Sequence, residues 1–281
     1  MKYLLQIISA VILYCLGKYF FHDELSPHFI AGGVIIFVSV ICIDLAYDIC
    51  KNWNRLYLLV RCWILSWNDT YIRFSMSYQY RIKINDKYLL VKNSNNGFFQ
   101  HVGGKYKRLT FTHKILNDFE AKDDLKLPTA GLMKDDLAVF IPAKNAIKFI
   151  NWFNSNKERE ISHWREFYEE LIDGKARVLP QNKFPYVNYN FIKSIRTPLI
   201  KSEAPGWDCW EILQYDVLDL LPNSDQELEL QALLKKGDTD YLKWADNELI
   251  QNLGHNHHER KLIYPIGKHT KWVLNLKWSK D

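Results

Sequence analysis

The sequence predicts an α+β protein: an N-terminal pair of membrane-spanning helices, then one soluble domain built as an α/β/α sandwich. Three observations predict it. The first fifty residues hold two uncharged apolar runs, the chain from about Thr70 alternates like strands before and after a helical middle, and one late helix carries an aromatic stripe opposite an acidic one. The domain reading is therefore 1–50 helical hairpin, 51–69 juxtamembrane linker and 70–281 soluble domain.

The first run, Tyr3 to Gly17, carries no charge and extends through Tyr19, Phe20 and Phe21 if Lys18 snorkels, reaching roughly 19 residues. The second, Phe29 to Ile43, is uncharged and becomes long enough by recruiting Leu45, Ala46 and Tyr47. Between them "HDELSPH" holds Asp23 and Glu24 but no Lys or Arg, whereas Lys2, Lys51, Arg55 and Arg61 lie outside the pair. The positive-inside rule then puts both termini in the cytoplasm. A cleavable signal peptide or a pair of buried core helices is the rival reading; no small-x-small cleavage site follows the first run. Ala31, Gly32 and Gly33 form a small-residue patch suited to close helix approach.

Asn52 to Asn68 mixes Trp53, Trp63 and Trp67 with arginines, and its periodicity leaves an interfacial helix and a first strand both open. In the soluble part, "YIRFSMSYQYRIKIN" reads as a strand, Asn85-Asp86 as a turn, "KYLLVKN" as a second strand, and Phe98 to Val102 as a short third one ending on Gly103-Gly104. Ala143 to Phe153 reads as a helix with Ile147, Ile150, Trp152 and Phe153 near one side, and a second helix spans about Glu158 to Asp173. "YVNYNFIKSI" and "WDCWEILQYDVLDL" are strands bracketing a loop with Pro198 and Pro205; "DQELELQALLKK" is a helix. "YLKWADNELIQNLG" gives a strand, an Asp246 N-cap and a short helix closed by Gly254.

Composition narrows the function classes. At 48% apolar residues a real core forms, so disorder is excluded as the default. A net charge of +5 suits an anionic ligand or membrane surface and falls short of a duplex-nucleic-acid binder. The five cysteines include no C-x-x-C pair, which favours reduced thiols over disulfides or zinc. His255, His257 and His258 lack a second ligand group at zinc spacing. Phe98, Phe99, Trp207 and Trp210 are candidate base-stacking platforms, with core packing the competing role.

The late helix is the most informative element. Trp164, Phe167, Tyr168 and Leu171 recur at one helical face; Glu166, Glu169, Glu170 and Asp173 recur opposite them. Such an acid stripe is either a solvated face or a hard-metal site for Mg²⁺ or Mn²⁺, since clustered carboxylates repel one another without a cation.

"REFYEE", Arg165 to Glu170, resembles the second half of the Nudix signature, glycine, five residues, glutamate, seven residues, then Arg-Glu-apolar-x-Glu-Glu, and "QHVGGK" is similar to its first half. The downstream "YLKWADNELIQNLG" resembles the closing segment of such domains. The resemblance implies that Glu166, Glu169 and Glu170 are the metal positions, if that role is retained; no cofactor is certain, and Mg²⁺ or Mn²⁺ is what the family allows. Gly103, Gly104, Lys105, Lys107, Arg108, Lys193 and Arg196 are the candidate ligand contacts.

The departures are specific. Sixty residues separate Gly104 from Arg165, about 47 more than the signature has, Thr110 stands at the counted position of the signature glutamate, and Ile172 replaces a glycine, with Gly174 two positions late. With two membrane helices ahead of a split signature, the chain resembles the transmembrane Nudix effectors of bacterial CBASS anti-phage systems. That resemblance implies a multi-pass inner-membrane protein that senses a cyclic oligonucleotide made on infection by a partner synthase. It further implies a homo-oligomer that disrupts the bilayer and kills the cell, with the degenerate signature used for binding more than for turnover. The alternative is a membrane-tethered Mg-dependent Nudix hydrolase of a nucleoside-diphosphate derivative; a protein-interaction module without a nucleotide ligand is a third.

Overall fold

The computed structural model describes residues 4–19, 26–94, 96–124, 126, 135–174, 176–202, 206 and 208–280. Lys2, Asp23, Glu24, Pro205 and Trp207, each used in the sequence reading, lie outside the described residues. Two compact units divide the chain, Met1–Arg61 and Cys62–Asp281.

The first unit holds α1 (Leu4–Tyr19), α2 (Ser26–Lys51) and most of α3 (Trp53–Ser66). Helix α1 packs along α2 with Gly33 at the contact: a Cβ there would lie 2.9 Å from the Ala10 carbonyl oxygen and 3.1 Å from the Tyr14 nitrogen. Close approach of backbones is what small residues allow. Val34, Ile35, Phe37, Val38 and Ile41 of α2 are exposed, an outward apolar surface unsuited to water. Among the described residues one stretch, Ala31–Lys51, is long and apolar enough to cross a membrane, while Ile8–Tyr19 is shorter. The two-span expectation is thus met by one span of sufficient length. The open choice for Asn52 to Asn68 resolves to the helix α3.

The second unit opens with β1 (Tyr71–Arg81), β2 (Lys83–Ile84), β3 (Lys87–Lys92) and β4 (Phe99–His101). Asn85 and Asp86 both take positive φ, 46° and 63°, as the two-residue turn between β2 and β3 requires. Next come α4 (Thr112–Asp118), β5 (Lys122–Asp123) and β6 (Ala138–Pro142), then a 3₁₀ turn at Ala143–Asn145 leading into α5 (Ala146–Asn154). The acidic helix follows as α6 (Trp164–Phe167) and a π-helical turn, Tyr168–Ile172. The remainder is β7 (Asn188–Arg196), β8 (Ile200–Lys201), β9 (Trp210–Leu221), α7 (Ser224–Lys236), β10 (Leu242–Ala245), α8 (Asn247–Gln251), the small pair β11 (His255–Asn256) and β12 (Lys261–Leu262), and α9 (Lys268–Asn275).

The large sheet runs β5-β6-β1-β9-β7, with β8 also on β9; only β1 and β9 pair in parallel. A smaller sheet runs β10-β3-β2 with β4 on β3. Alternate residues of β1 serve two faces. Phe74, Met76, Tyr78 and Tyr80 are fully buried, Phe74 against Phe149 of α5 and Tyr80 against Phe167 of α6. Val217 of β9, on the other face, packs with Val273 of α9. These layers are the sandwich the sequence predicts.

Two helices differ from expectation. The acidic helix begins at Trp164, six residues late, because Glu158 adopts φ +56° and Glu160 and His163 are drawn into other contacts. In α5 the buried side is Ala146, Phe149, Ile150 and Phe153, a cleaner i, i+3, i+4, i+7 stripe than the one expected around Ile147.

Candidate functional site

The site forms where the glycine turn lies against β1. After β4 the chain runs antiparallel to β1: the Tyr80 N–H donates to the Val102 carbonyl (2.7 Å), Tyr78 to Gly104 (2.9 Å), and Tyr106 back to Met76 (3.0 Å). Gly103 has φ +145°, and a Cβ there would stand 2.2 Å from the Tyr78 carbonyl oxygen, so this close pairing needs glycine. At Gly104 a Cβ would sit 2.3 Å from the Glu166 carboxylate.

The sixty-residue separation closes completely. Gly103 N–H donates to Glu170 Oε2 (2.8 Å) and Arg165 Nη2 donates to the Lys105 carbonyl (2.7 Å), so both halves of the motif meet. The inserted chain contributes β6 to the same edge of β1 that the glycine turn uses, β6 covering Tyr71 to Ser75 and the turn covering Met76 to Tyr80. It returns through Glu160, whose Oε2 accepts from the Lys107 N–H (2.7 Å). His163 then pins the start of α6 to the sheet, its Nε2 2.8 Å from the Tyr106 hydroxyl, which donates to Asp216 (2.6 Å).

Arg165 organises the acids. It donates to Glu160 (3.0 Å), Glu166 (2.7 Å) and Glu169 (3.1 Å). Glu170 accepts from Gly103 N–H and makes no ion pair among the described residues. Burial pushes the Glu170 carboxyl well above its usual range, and the charge of Glu166 adds to this against the Gly103 N–H. Burial likewise raises Glu166, with Arg165 opposing and Glu169 and Asp136 reinforcing. The acid stripe is accordingly half-buried against the turn, where the simpler reading had it solvated. Gly174 closes the π-helical turn: the Asp173 N–H donates to the Tyr168 carbonyl (2.9 Å), and a Gly174 Cβ would lie 1.9 Å from the Glu169 carbonyl oxygen. The glycine that seemed two positions late fits the end of a widened helix.

Beside this cluster opens a cavity of about 1040 Å³. Of the predicted ligand contacts, Gly103, Gly104 and Lys105 line it, as do all three glutamates. Lys107 pairs with Asp136 (2.5 Å), and Arg108 with Asp123 and the Asp136 and Ala138 carbonyls; neither lines the cavity. Lys193 and Arg196 lie on the exposed strand β7, away from its lining. Thr110 is exposed ahead of α4 and off the cavity, so counting from Gly104 across a folded insertion does not locate the signature glutamate's place. Of the four candidate stacking residues, Phe99 is in the core with Leu90 and Ile266, Phe98 and Trp210 are off the lining, and Trp207 lies outside the described residues.

The lining also includes residues that sequence reasoning missed: Ser75, Ser77 and Gln79 of β1, Tyr215 of β9, His269 of α9 and Asp136. The β1 signal was available in "FSMSYQY". Its polar positions alternate with a buried aromatic face, a pattern that also describes an ordinary water-facing strand.

The family model described as the SMODS-associated NUDIX domain matches residues 71–274. The chain belongs to this Nudix family. The match begins with the first residue of β1 and ends inside α9, and therefore contains the insertion and the whole cavity lining. No curated protein and no solved structure matches the chain significantly.

For this Nudix domain the implied metal can be tested on the donor set. The oxygens are of the right kind for a hard cation, and Glu170 has no basic partner. The arrangement is less suited: among the described residues no three acidic, histidine or cysteine side chains are placed to hold a metal ion, and Arg165 takes one oxygen each of Glu166 and Glu169. A cation seated on all three glutamates would share Glu166 and Glu169 with that guanidinium.

Proposed function

We propose that this protein is a membrane-anchored receptor whose Nudix domain binds a cyclic oligonucleotide and whose N-terminal helices disrupt the bacterial inner membrane, as a CBASS effector in abortive infection. The observation that supports it is the closed signature: both halves meet at a ligand-sized cavity, while Arg165 holds two of the carboxylates that a metal would need. Holding and cutting place different demands on a site. Binding tolerates an arginine among the acids, whereas turnover through a metal needs those oxygens free.

In this reading both termini are cytoplasmic and α1 and α2 span the bilayer as a hairpin. Exposed apolar side chains along α2 and the close seat of Gly33 support that. A cyclic-nucleotide synthase supplies the ligand, and binding shifts a homo-oligomer from rest to a disruptive state. Such a shift requires tighter binding to the disruptive state than to the resting one.

The second reading, a membrane-tethered hydrolase of nucleoside-diphosphate derivatives using Mg²⁺ or Mn²⁺, has one observation in its favour. Glu170 is a buried carboxylate that no basic side chain among the described residues pairs with. One experiment separates the two: full-length protein in detergent is melted with cyclic di- and trinucleotides and assayed for turnover of nucleoside diphosphates with either metal. A rise in Tm with a cyclic nucleotide and no turnover is expected. Failure of every cyclic nucleotide to shift Tm sinks the receptor, and metal-dependent turnover lost in Glu169→Gln or Glu170→Gln establishes the enzyme.

A further inference from the structure

We propose that the cavity floor is a nucleobase subsite and that Gln79 selects adenine there; this rests on the nucleotide-binding reading above. The floor is uncharged. Ser75, Ser77 and Gln79 are the alternate residues of β1 that do not enter the aromatic core, and Tyr215 is the register partner of Ser77 on β9. The next positions along the same face are closed by ion pairs, Arg73 with Asp124 and Glu211 at one end and Arg81 with Asp219 at the other. A polar, neutral strip between two charged clamps suits a base better than a phosphate.

Gln79 is the telling residue. It is 3% exposed, it lines the cavity, and its Oε1 has no hydrogen-bond partner among the described residues. Buried amides are ordinarily paired, so this one has a hydrogen bond left to make, and a turn of its side chain towards the cavity would make it to a ligand. A carboxamide presents one acceptor beside two donors and can turn over to exchange them. Adenine offers the matching edge, an exocyclic amine beside a ring nitrogen acceptor, and glutamine reads it with two hydrogen bonds.

The wall supplies the stacking surface. Tyr215 and His269 lie parallel, with an interplanar angle of 4° and ring centroids 5.6 Å apart. His269 is fixed by Gln100, its Nε2 3.0 Å from Gln100 Oε1, and Gln100 is held in turn by Asn93 Nδ2 at 3.0 Å. Burial holds the His269 imidazole down at about 4, so the ring is neutral near pH 7 and stacks as an aromatic. Lys92, Lys105 and Arg177 on the lining are the cations that would meet the phosphates, Lys105 from its pair with Asp136 (3.5 Å) and Arg177 from its exposed pair with Asp173 (3.4 Å).

The test is equilibrium dialysis of the full-length protein in detergent against AMP, GMP, CMP and UMP. AMP is expected to bind about tenfold or more tighter than the others, Gln79→Leu to erase that preference, and Tyr215→Leu to weaken all four by about tenfold. Tm reports whether each variant folds; where one does not, the wild-type ranking decides alone. Equal binding of the four, preference for another base, or a preference that survives Gln79→Leu overturns the subsite. If cyclic nucleotides stabilise the protein but AMP does not outrank the rest, only this proposal fails; if no nucleotide binds in either experiment, the receptor reading fails with it.

Discussion

Single residues set the geometry of the turn. At Gly103 an added methyl meets backbone, the Tyr78 carbonyl oxygen, with φ at +145°, whereas at Gly104 it meets the end of the Glu166 side chain. Gly103→Ala should therefore cost about 3 kcal/mol or more and Gly104→Ala about 1 kcal/mol, measured by denaturant unfolding; equal costs would refute the backbone-contact argument. Glu170 makes a prediction in the pH domain. Burial raises its folded-state value, so its stabilising contribution is present below the ordinary carboxylate range and lost as pH rises through the raised value. Glu170→Gln should accordingly raise Tm at pH 8 more than at pH 5, since the amide can still accept from Gly103 N–H. A larger gain at pH 5 would contradict the burial assignment.

At the scale of elements, the π-helical turn aims Glu169 and Glu170 at the glycine turn while Phe167 and Leu171 stay buried. Gly174→Ala, which would place a methyl 1.9 Å from the Glu169 carbonyl oxygen, should collapse that turn. Loss of Tm is expected, together with loss of the proposed nucleotide binding; a stable variant with an unchanged Tm would show the turn to be incidental. This element also marks the boundary of what the chain spells out locally. The hairpin β2–β3 was legible because Asn85-Asp86 supplies two residues that tolerate positive φ, and the acidic helix because its two stripes repeat at helical spacing. A π turn has no residue code, because its extra residue is accommodated by packing. The insertion hid for a related reason: β6 is a short apolar strand buried between neighbours, β5 has two residues, and α4 is seven residues long without a side-chain cap. The glycine pair and the glutamates were readable through a motif. Gln79, Tyr215 and His269 come together through strand register and a C-terminal helix, which no local pattern encodes.

Across the whole molecule, buried titratable groups pull stability in two directions. His101, His163 and His269 are held down, to about 3, 4 and 4, chiefly by burial, so each contributes stability that is present above about 6.5 and lost as pH falls towards those values. Glu166 and Glu170 act oppositely, losing stability as pH rises. Between pH 5 and 6.5 three histidines outweigh two carboxylates, each uncompensated proton changing stability by about 1.4 kcal/mol per pH unit. Tm should therefore rise from pH 5 to 6.5, and a Tm that falls over that interval would show that the three histidines are not held neutral by burial. The insertion has a consequence of another kind. Its two ends are tied at one place, by the Arg165 bond to the Lys105 carbonyl and the Lys107 bond to Glu160, so the chain between them is a closed detour. The binding cavity does not depend on that detour being continuous. Phe111, 74% exposed on its outward turn, is a point where the polypeptide could be severed or a reporter domain spliced in, leaving the cavity assembled from two pieces of backbone that β1 already holds together.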